Sequence, residues 1–413
     1  MNVSTWRQPV QAAALGLVSG VLAGGGAYVF LEGLDRATST REQRPWLVWF
    51  LPVFGALWGA VHWASRHSEP WQRAFRGTPA VLEQARRPDR GVPRRQAPLV
   101  LVGTWAAHLT GASVGREGVG LQLSASLAEH VARWWRLDRP ARRLLLAGAL
   151  AGGFGAVFAV PWAGAVFALE VTGRRRRRAS RLLTALVASH TGHAVVSGLG
   201  HRHTSWPRIE PALGWTTGLG LLVAAVAFGG VATGFAAAVD GLRRAADERH
   251  LHPVLRPVIG GVATVALVVM VGRDYLGLSL PVLDGALSGD ETSFAVPVLK
   301  AVFTVLALAS GFPGGEVTPL FVIGASLGAA LAAPLGVPLP TLAALGMVAL
   351  FAAAMGAPLT GAVMAAELFG GAMAVPALLV CAVSSTSNRR RRRPGVTQAE
   401  ASTRTGRRRG PRI

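Results

Sequence analysis

The chain is short of cysteine, lysine, tyrosine and charged residues, and each shortage excludes a class of site or of protein. Cys381 is the single cysteine among 413 residues, so the chain has no disulfide framework and no cysteine-based metal cluster. Lys300 is the only lysine among many arginines, a bias that indicates a GC-rich bacterial genome. Only 15% of the residues are charged, which excludes the charged surface of an ordinary soluble domain.

The chain is rich instead in long apolar segments. Hydrophobic residues make up 51% of it, and stretches such as 11–30 and 213–239 carry almost no charge. Roughly ten or more segments reach or approach the ~20 residues that cross a hydrocarbon core, and the shorter ones are expected to be tilted, broken or re-entrant. We therefore predict an all-α polytopic membrane protein. The N-terminal apolar segment is kept as the first membrane helix, because it is too long for the core of a signal peptide.

The most informative feature is an internal duplication, in which two copies of one pattern lie 197 residues apart. The matching pairs are Pro161 and Pro358, Gly164 and Gly361, Ala165 and Ala362, Val166 and Val363, and Glu170 and Glu367. Upstream, residues 123–132 recur as residues 323–332. Duplicated apolar halves that glycine and proline interrupt at matching positions are typical of transporters with a binding site near the bilayer midplane.

The duplication divides the chain into a membrane domain and a tail. We predict a transmembrane domain over residues 1–388, with a first repeat at about 10–198 and a second at about 212–388. Arginine runs at residues 174–178 and 389–393 are expected in the cytoplasm. A further apolar segment precedes the second run, so the two copies would run in opposite directions as an inverted repeat. The alternative, in which both copies point the same way, stays open from the sequence.

The formal charge of +21 is concentrated in loops and in the tail, residues 389–413. The tail holds ten arginines against one acidic residue. We predict a disordered cytoplasmic tail that is drawn to anionic lipid. No basic fold with interleaved aromatic residues accompanies it, so no nucleic-acid partner is predicted.

Two glycine-rich breaks interrupt the apolar pattern, one in each repeat. In the first break, residues 111–120 are flexible enough to turn, and a helical pattern resumes at Leu121 within the membrane. The segment SGFPGGEVTPLFVIGASL, residues 310–327, does the same in the second repeat. The first turn of a helix presents unpaired backbone N–H groups and a positive dipole end, which favour an anion. Two such helix starts facing one point would form an anion site without a lysine or arginine bound to the ion.

Glu117 lies where the first break passes into its helix. A carboxylate inside a membrane is costly unless it is functional, and an ionised carboxylate can itself occupy an anion site. We predict that Glu117 is the gate and the proton carrier, because protonation would end its competition with the permeant anion. The structural alternative is that Glu117 pairs with Arg116 or caps its helix. Structural alternatives also hold for Glu316, in the second break, and for Glu170 and Glu367, near helix ends.

These motifs together resemble the chloride channel and transporter (CLC) family. The resemblance covers roughly residues 10–388 and is carried by GREG at 115–118, GAVFALE at 164–170 and GGEVTPLFVIGASLG at 314–328. Chloride-type members have proline after the first of these motifs and a G-x-F-x-P pattern at the second break. This chain has Val119 and GGEVTP in those places, which makes it similar to the bacterial fluoride-exporting branch.

The resemblance implies a fold, an activity and a set of residues. It implies tilted and broken helices, a homodimer with one pore per subunit, and exchange of a halide for protons across the bacterial inner (plasma) membrane. Glu117 matches the gating glutamate of the family, and two phenylalanines match rings whose edges contact the ion or its gate. The residues expected to contact the anion are Thr78, Gly115, Arg116, Gly118, Val119, Phe312, Gly314, Gly315, Glu316, Val317, Thr318, Phe321 and Ser385.

The chain departs from the family pattern in three places. Residues 77–79 are Gly-Thr-Pro where chloride types have Gly-Ser-Gly-Ile-Pro. Val171 stands where chloride-type exchangers carry an inner glutamate, and it cannot carry a proton. Ser385 stands near the place of a tyrosine over the central ion, since the only tyrosines are Tyr28 and Tyr275.

Two other functions stay open from the sequence. One is a passive or proton-coupled chloride channel or transporter of the same fold. The other is an intramembrane serine hydrolase, in which Ser113 would be the nucleophile and His190 or His193 the base. The duplication favours a transporter over an enzyme. No metal and no cofactor is predicted, because histidines such as His108 and His130 lack metal-ligand spacing.

Overall fold

The computed structural model describes residues 3–86, 91–173, 178–211 and 214–389. Most of both arginine runs and nearly all of the tail, for which the sequence predicts a cytoplasmic position, lie outside these residues. The described residues form seventeen α-helices and three short 3₁₀ helices, the latter at Pro45–Phe50, Ser65–His67 and Gly371–Met373.

Nine of the described helices precede residue 199. They are α1 (Val3–Gln43), α2 (Leu51–Ala64), α3 (Glu69–Phe75), α4 (Gly77–Arg86), α5 (Gln96–Leu109), α6 (Glu117–Trp134), α7 (Arg139–Phe158), α8 (Pro161–Thr172) and α9 (Arg178–Gly198).

Eight helices follow in the second half of the described chain. They are α10 (Trp215–Glu248), α11 (Leu255–Val271), α12 (Leu280–Ser288), α13 (Ala295–Ser310), α14 (Val317–Leu335), α15 (Leu339–Met355), α16 (Pro358–Phe369) and α17 (Ala374–Arg389). The proposed repeat boundaries fall near the end of α9, the start of α10 and the end of α17.

Five helical segments among the described residues are long and apolar enough to cross a membrane: Gln8–Gln43, Pro45–His67, Arg139–Phe158, Trp215–Glu248 and Val317–Leu335. Five shorter apolar segments accompany them, at Leu255–Val271, Ala295–Ser310, Leu339–Met355, Pro358–Phe369 and Gly371–Thr386. A helix of 17 residues is about 26 Å long and falls short of a hydrocarbon core of roughly 30 Å. The prediction of an all-α polytopic membrane protein with broken spans is confirmed.

The long helices divide into central and peripheral ones. Within α7 and α14 the most apolar windows are 89% and 78% buried, whereas the windows in α10 and in Pro45–His67 are 39% and 22% buried. The core therefore forms around α7, α14 and α15, with phenylalanine rings such as Phe154 and Phe351 in contact between them. Exposed apolar side chains on the peripheral helices suit a lipid surface, because lipid does not penalise them.

The backbone repeats with a spacing of 200 residues through both breaks. α5 and α13 each end just before a glycine with positive φ, Gly111 at +90° and Gly311 at +89°. A side chain would strain this conformation, so glycine lets both incoming helices stop at equivalent points. The next helices also start 200 residues apart, α6 at Glu117 and α14 at Val317, so the predicted start at Leu121 is wrong by four residues.

Helices α8 and α16, the duplicated pair, run in opposite directions and cap each other. Glu170, near the end of α8, accepts hydrogen bonds from the first N–H groups of α16, those of Leu359 (3.1 Å) and Thr360 (2.9 Å). Glu367, near the end of α16, likewise accepts from Trp162 (2.9 Å) and Ala163 (2.7 Å) of α8. Each end of α8 thus meets the opposite end of α16, as an inverted repeat requires. The two carboxylates offset unpaired donors and a helix dipole, which fits a structural role.

Candidate functional site

The two breaks meet each other directly. Gly115 and Gly315, at equivalent positions of the two repeats, donate backbone hydrogen bonds to each other. The distance is 2.6 Å from Gly115 N to Gly315 O and 2.7 Å from Gly315 N to Gly115 O. This antiparallel bridge holds the starts of α6 and α14 side by side. The structure therefore brings together the two helix N-termini that the sequence predicts to form an anion site.

The Glu117 carboxylate crosses from the first break to the second. Glu117 is the first residue of α6 and is 2% exposed. Its Oε2 accepts a hydrogen bond of 2.9 Å from the backbone N–H of Thr318, in the first turn of α14, and its Oε1 accepts one from the Thr318 hydroxyl. The carboxylate thus occupies the positive end of a helix from the other repeat, the type of position that favours a bound anion.

Arg116 is a weaker partner of this carboxylate. It is the N-cap residue of α6, and its Nε lies 3.8 Å from Glu117 Oε1, beyond hydrogen-bond distance. Its side chain is 13% exposed. Arg116 therefore adds positive potential near Glu117, while Thr318 makes the two hydrogen bonds that orient the carboxylate.

A cavity of about 550 Å³ opens onto the two breaks. It is lined by residues of α2 to α8, of α10 and α13 to α15, and of both breaks. Eight of the residues expected at the site line it: Thr78, Glu117, Gly118, Phe312, Gly314, Gly315, Glu316 and Val317. Thr78 lies across from the start of α6, with its Oγ1 3.4 Å from the carbonyl oxygen of Gly118.

Other expected residues lie beside the cavity rather than in its lining. Thr318 hydrogen-bonds the Glu117 carboxylate. Gly115 and Arg116 directly precede Glu117 in the chain and form the turn that leads into α6. Phe321 contacts the rings of Phe158 (5.2 Å between centroids) and Phe351 (5.8 Å), and Phe351 lines the cavity. Phe312 itself stacks on Phe54 at 6.0 Å.

Two expected residues lie among other groups. Val119 is fully buried in an apolar cluster with residues of α1 such as Phe30 and Leu31, and it is not among the residues that line the cavity. Ser385 lies on α17, 3% exposed, and its hydroxyl has no hydrogen-bond partner among the described residues. It does not line the cavity either.

The cavity also has polar residues that sequence reasoning missed. Gln122 on α6 accepts from the Gln96 amide (3.0 Å) and donates to Thr78 Oγ1 (3.2 Å), which orients the Thr78 hydroxyl. Its signal in the sequence is an amide inside an otherwise apolar helix start. Arg86 donates to the carbonyl of Val171 (2.8 Å), and Arg243 to that of Leu308 (3.0 Å).

Arginines give the cavity a positive wall. Arg76, Arg86 and Arg243 all line it, alongside a single pair of acidic residues, Glu117 and Glu316. Cations along a concave wall raise the local concentration of anions. Nothing in the sequence places these three arginines together, since they lie on the turn before α4, on α4 and on α10.

The hydrolase alternative lacks its geometry. Ser113 Oγ lies 2.9 Å from Lys300 Nζ and 2.9 Å from Thr304 Oγ1, and not beside a histidine. His190 faces the carbonyl of Leu186 in its own helix at 2.9 Å. Ser113 is 0% exposed and is not among the residues that line the cavity.

One group of possible metal ligands is present among the described residues, away from the breaks. Single ligand atoms of Glu32, Asp35 and His201 lie within 4.8 Å of one another. His201 Nδ1 is 3.2 Å from Glu32 Oε1, so a hydrogen bond accounts for the contact. The sequence gives no spacing signal for this group.

Comparison with known proteins assigns the family. The family model for the voltage gated chloride channel matches residues 61–389, and the chain belongs to this CLC family. Members of the family are channels or transporters, so this protein is a membrane anion transport protein and not an enzyme.

Two curated relatives show the range of similarity. The chain is 38% identical over 390 residues to a "Chloride/fluoride channel protein" of Pseudomonas syringae pv. tomato, covering 90% of this chain and 82% of the relative. It is 27% identical over 408 residues to the "H(+)/Cl(-) exchange transporter ClcA" of Cronobacter sakazakii, covering 91% and 86%.

Solved structures agree with the fold. A crystal structure of a CLC-type fluoride/proton antiporter is similar with a TM-score of 0.85 and 34% identity, covering 92% of this chain and 95% of that one. A slow cyanobacterial Cl⁻/H⁺ antiporter is similar with a TM-score of 0.74 over 97% of this chain, and at 19% identity this likeness shows the fold alone.

Proposed function

We propose that this protein exports fluoride in exchange for protons, with Glu117 as gate and proton carrier. The observation that carries the proposal is the position of the Glu117 carboxylate on the first turn of α14, where it accepts hydrogen bonds from the Thr318 N–H and hydroxyl. A helix start that binds one anion can bind another. The carboxylate then competes with the permeant ion for these donors.

Proton coupling follows from this competition. An ionised Glu117 occupies the site and excludes the anion, whereas a protonated Glu117 loses its charge and its advantage there. Each proton that binds Glu117 from one side of the membrane therefore frees the site for an anion. The anion then leaves toward the side from which the proton came. Export driven by proton entry suits fluoride, because hydrogen fluoride enters as a neutral weak acid and is trapped inside as the ion.

Fluoride is favoured over chloride by the likeness of the chain to its relatives and by its own residues. The similar crystal structure is that of a fluoride/proton antiporter, at 34% identity. Phe312 lines the cavity beside the second break, and the edge of a phenylalanine ring is the positive rim of its quadrupole, which attracts an anion. Thr78 and the N–H groups of Gly118 and Val317, at the starts of α6 and α14, are the further groups that we expect at the ion, whereas the N–H of Gly315 is already bonded to the Gly115 carbonyl. Contacts of Ser385 and Phe321 with the ion stay predictions.

The proposal extends to sidedness and assembly. Val171, at the end of α8, lines the cavity, and the arginine run that begins at residue 174 follows directly. Arginines prefer the cytoplasmic side, so we expect the cavity to face the cytoplasm. We further expect a homodimer in the bacterial inner membrane, with the tail at residues 389–413 on anionic lipid.

Chloride transport is the second candidate. Val171 gives the inner part of the pathway no carboxylate, and a pathway without a second proton carrier can pass anions without protons. The similar ClcA protein is named as an exchanger of chloride and protons. Chloride flux in the experiment below would favour this candidate.

The test is anion efflux from proteoliposomes, with fluoride and chloride compared and proton movement recorded. We expect flux that favours fluoride and moves protons uphill, and loss of the coupling in Glu117→Gln. Glu367→Gln is the matched control, because this α16 carboxylate also accepts N–H groups at a helix start, but at the start of α8 rather than at the breaks. Flux that favours chloride, flux without proton movement, or a Glu117→Gln variant that stays coupled would overturn the proposal.

A further inference from the structure

The only lysine of the chain lies fully buried beside the first break. Lys300, on α13, is 0% exposed. Its Nζ lies near four oxygens: Ser113 Oγ (2.9 Å), Tyr275 O (3.2 Å), Gly277 O (2.7 Å) and Ser279 Oγ (2.9 Å). No Asp or Glu in the described part of the chain forms an ion pair with it. A buried cation without a counter-ion is costly, so these oxygens have to replace its hydration.

The hydrogen atoms around this group can be assigned. Thr304 Oγ1 donates its only hydrogen to the carbonyl of Lys300 at 2.9 Å, so the contact between Ser113 and Thr304 has to use the Ser113 hydrogen. Ser279 donates to the carbonyl of Leu276 at 3.3 Å. Both hydroxyls therefore offer only lone pairs to Nζ.

Four lone-pair donors suit a cation. An ammonium group has three N–H bonds to share among the four oxygens, whereas a neutral amine has two and a lone pair that would face oxygen. The oxygens of Ser113, Tyr275, Gly277 and Ser279 form what we call the oxygen cage, and the Lys300 side chain fills it. The cage is therefore a small cation site with its cation attached to the protein.

The oxygen cage joins both halves of the molecule. Ser113 lies in the first break, two residues before the bridge between Gly115 and Gly315. Lys300 lies on α13, the helix that leads into the second break. The equivalent of Lys300 in the first repeat is Val100, 200 residues earlier, so that repeat has no such cation.

We propose that Lys300 is a positioning residue for anion transport. Its ammonium group acts as a tethered cation that fixes the first break against α13, and with it Glu117, and that adds unpaired positive charge beside the anion pathway. Charge inside a low-dielectric region acts over longer distances than charge in water, so a buried ammonium favours an anion in the pathway. This inference rests on the proposed transport function.

A pair of threonines provides a matched test of the link between the first break and α13. Thr304→Val and Thr264→Val each remove a buried hydroxyl that bonds the carbonyl four residues earlier in its own helix, at 2.9 Å and 2.8 Å. Only Thr304 also contacts Ser113. We expect Thr304→Val to raise the KM for the anion severalfold and Thr264→Val to leave it unchanged, in proteoliposomes. Equal effects of the two variants would contradict the link.

The charge itself is tested at Lys300. Lys300→Met keeps the length of the side chain and removes the charge, and we expect about a tenfold rise in KM for the anion among correctly folded molecules. Lys300→Ala leaves room for propylammonium, which supplies the missing carbons and the ammonium group. Rescue by propylammonium and not by propanol is the expected result. Equal rescue by both would overturn the tethered-cation role, as would normal KM in folded Lys300→Met.

Failure of this inference can be told from failure of the proposed function. The wild-type protein is measured first with fluoride and chloride, and the ion that it carries is then used for every variant. If the wild type carries only chloride, the fluoride proposal fails while the Lys300 comparison proceeds with chloride. If the wild type carries fluoride and the Lys300 variants keep its KM, the inference alone fails.

Discussion

The two breaks share a backbone and differ in chemistry. Each contains a glycine of positive φ, Gly111 or Gly311, and each leads into a helix; the two helices start 200 residues apart. Gly115 and Gly315 hydrogen-bond each other through their backbones. Their side chains do not match: Glu117 corresponds to Val317, and Arg116 to Glu316. Duplication thus supplies two helix starts, and one carboxylate placed on only one of them turns the pair into a site with a gate.

The α8 and α16 pair shows the opposite case. There the duplicated carboxylates, Glu170 and Glu367, keep the same role and cap each other's helix. Side chains that preserve the symmetry support the fold, whereas those that depart from it, at the breaks and at Lys300, carry the chemistry. The acidic residues of the two breaks are accordingly not equivalent, since Glu316 is the N-cap residue of α14 and corresponds to Arg116.

Moving the carboxylate between the breaks is expected to have the largest effect. Glu117→Val combined with Val317→Glu keeps composition and backbone, and places the carboxylate at the equivalent position of α14. We expect proton-coupled flux to fall by about a hundredfold or more, because the residue of α6 equivalent to Thr318 is Gly118, which has no hydroxyl to hold the moved carboxylate. Liposome flux with proton recording measures this. Coupling retained in the swapped protein would show that the breaks are interchangeable.

Removal of the Thr318 hydroxyl is expected to have the next largest effect. Thr318→Val removes one of the two hydrogen bonds that Thr318 donates to the Glu117 carboxylate, and we expect the transport rate to fall about tenfold. Thr360→Val is the matched control, because its hydroxyl donates to Glu170 at 2.8 Å at the start of α16. The control should lower stability and leave rate and coupling intact; a similar loss of rate in both variants would contradict the assignment of the gate.

A methyl group at Gly118 is expected to have a smaller effect. A Cβ there would lie 2.9 Å from Thr78 Oγ1 and 3.3 Å from the Cα of Gly315, so the two breaks have to separate slightly. We expect Gly118→Ala to reduce flux severalfold. Gly230→Ala, on α10, has nothing within 4 Å of its Cβ and should leave flux unchanged. Normal flux in Gly118→Ala would mean that the contact between the breaks is loose.

The symmetric pair should give the smallest effect on function. Glu170→Gln and Glu367→Gln each weaken the cap of the opposite helix, which costs about 1 kcal/mol of unfolding free energy. The loss is expected to be somewhat larger for Glu170→Gln, because Glu170 also accepts the Thr360 hydroxyl while Glu367 accepts N–H groups alone, and fluoride selectivity should not change. Thermal unfolding in detergent measures both. A change of selectivity in either variant would extend the site to α8 and α16.

The sequence predicts the frame of this site better than its contacts. The duplication, one helix start in each break and the placement of Glu117 near the first of them follow from glycine patterns and apolar periodicity, although α6 begins at Glu117 and not at the predicted Leu121. The bond between Glu117 and Thr318 joins residues 201 apart, and only the folded chain shows it. The oxygen cage escaped prediction for the same reason, because two of its four oxygens are backbone carbonyls, which carry no sequence signal.

Side-chain directions are also hard to read from a motif. Val119 is predicted at the ion because it follows the GREG motif, but on a helix the side chain two residues after Glu117 points away from it, and that of Val119 packs against α1. Contact of Val119 with the ion stays a prediction. Thr78 and Gln122 come together from α4 and α6, which no local pattern predicts. Whether the ion contacts Ser385 stays a prediction.

The most direct test of the central claim is fluoride binding measured by calorimetry as pH is lowered. If the Glu117 carboxylate competes with fluoride for the start of α14, protonation removes the competitor, so fluoride should bind more tightly at mildly acidic than at mildly alkaline pH. In Glu117→Gln, binding should be tight and nearly independent of pH. Equal affinity at both pH values in the wild type, or the same pH dependence in Glu117→Gln, would contradict the account.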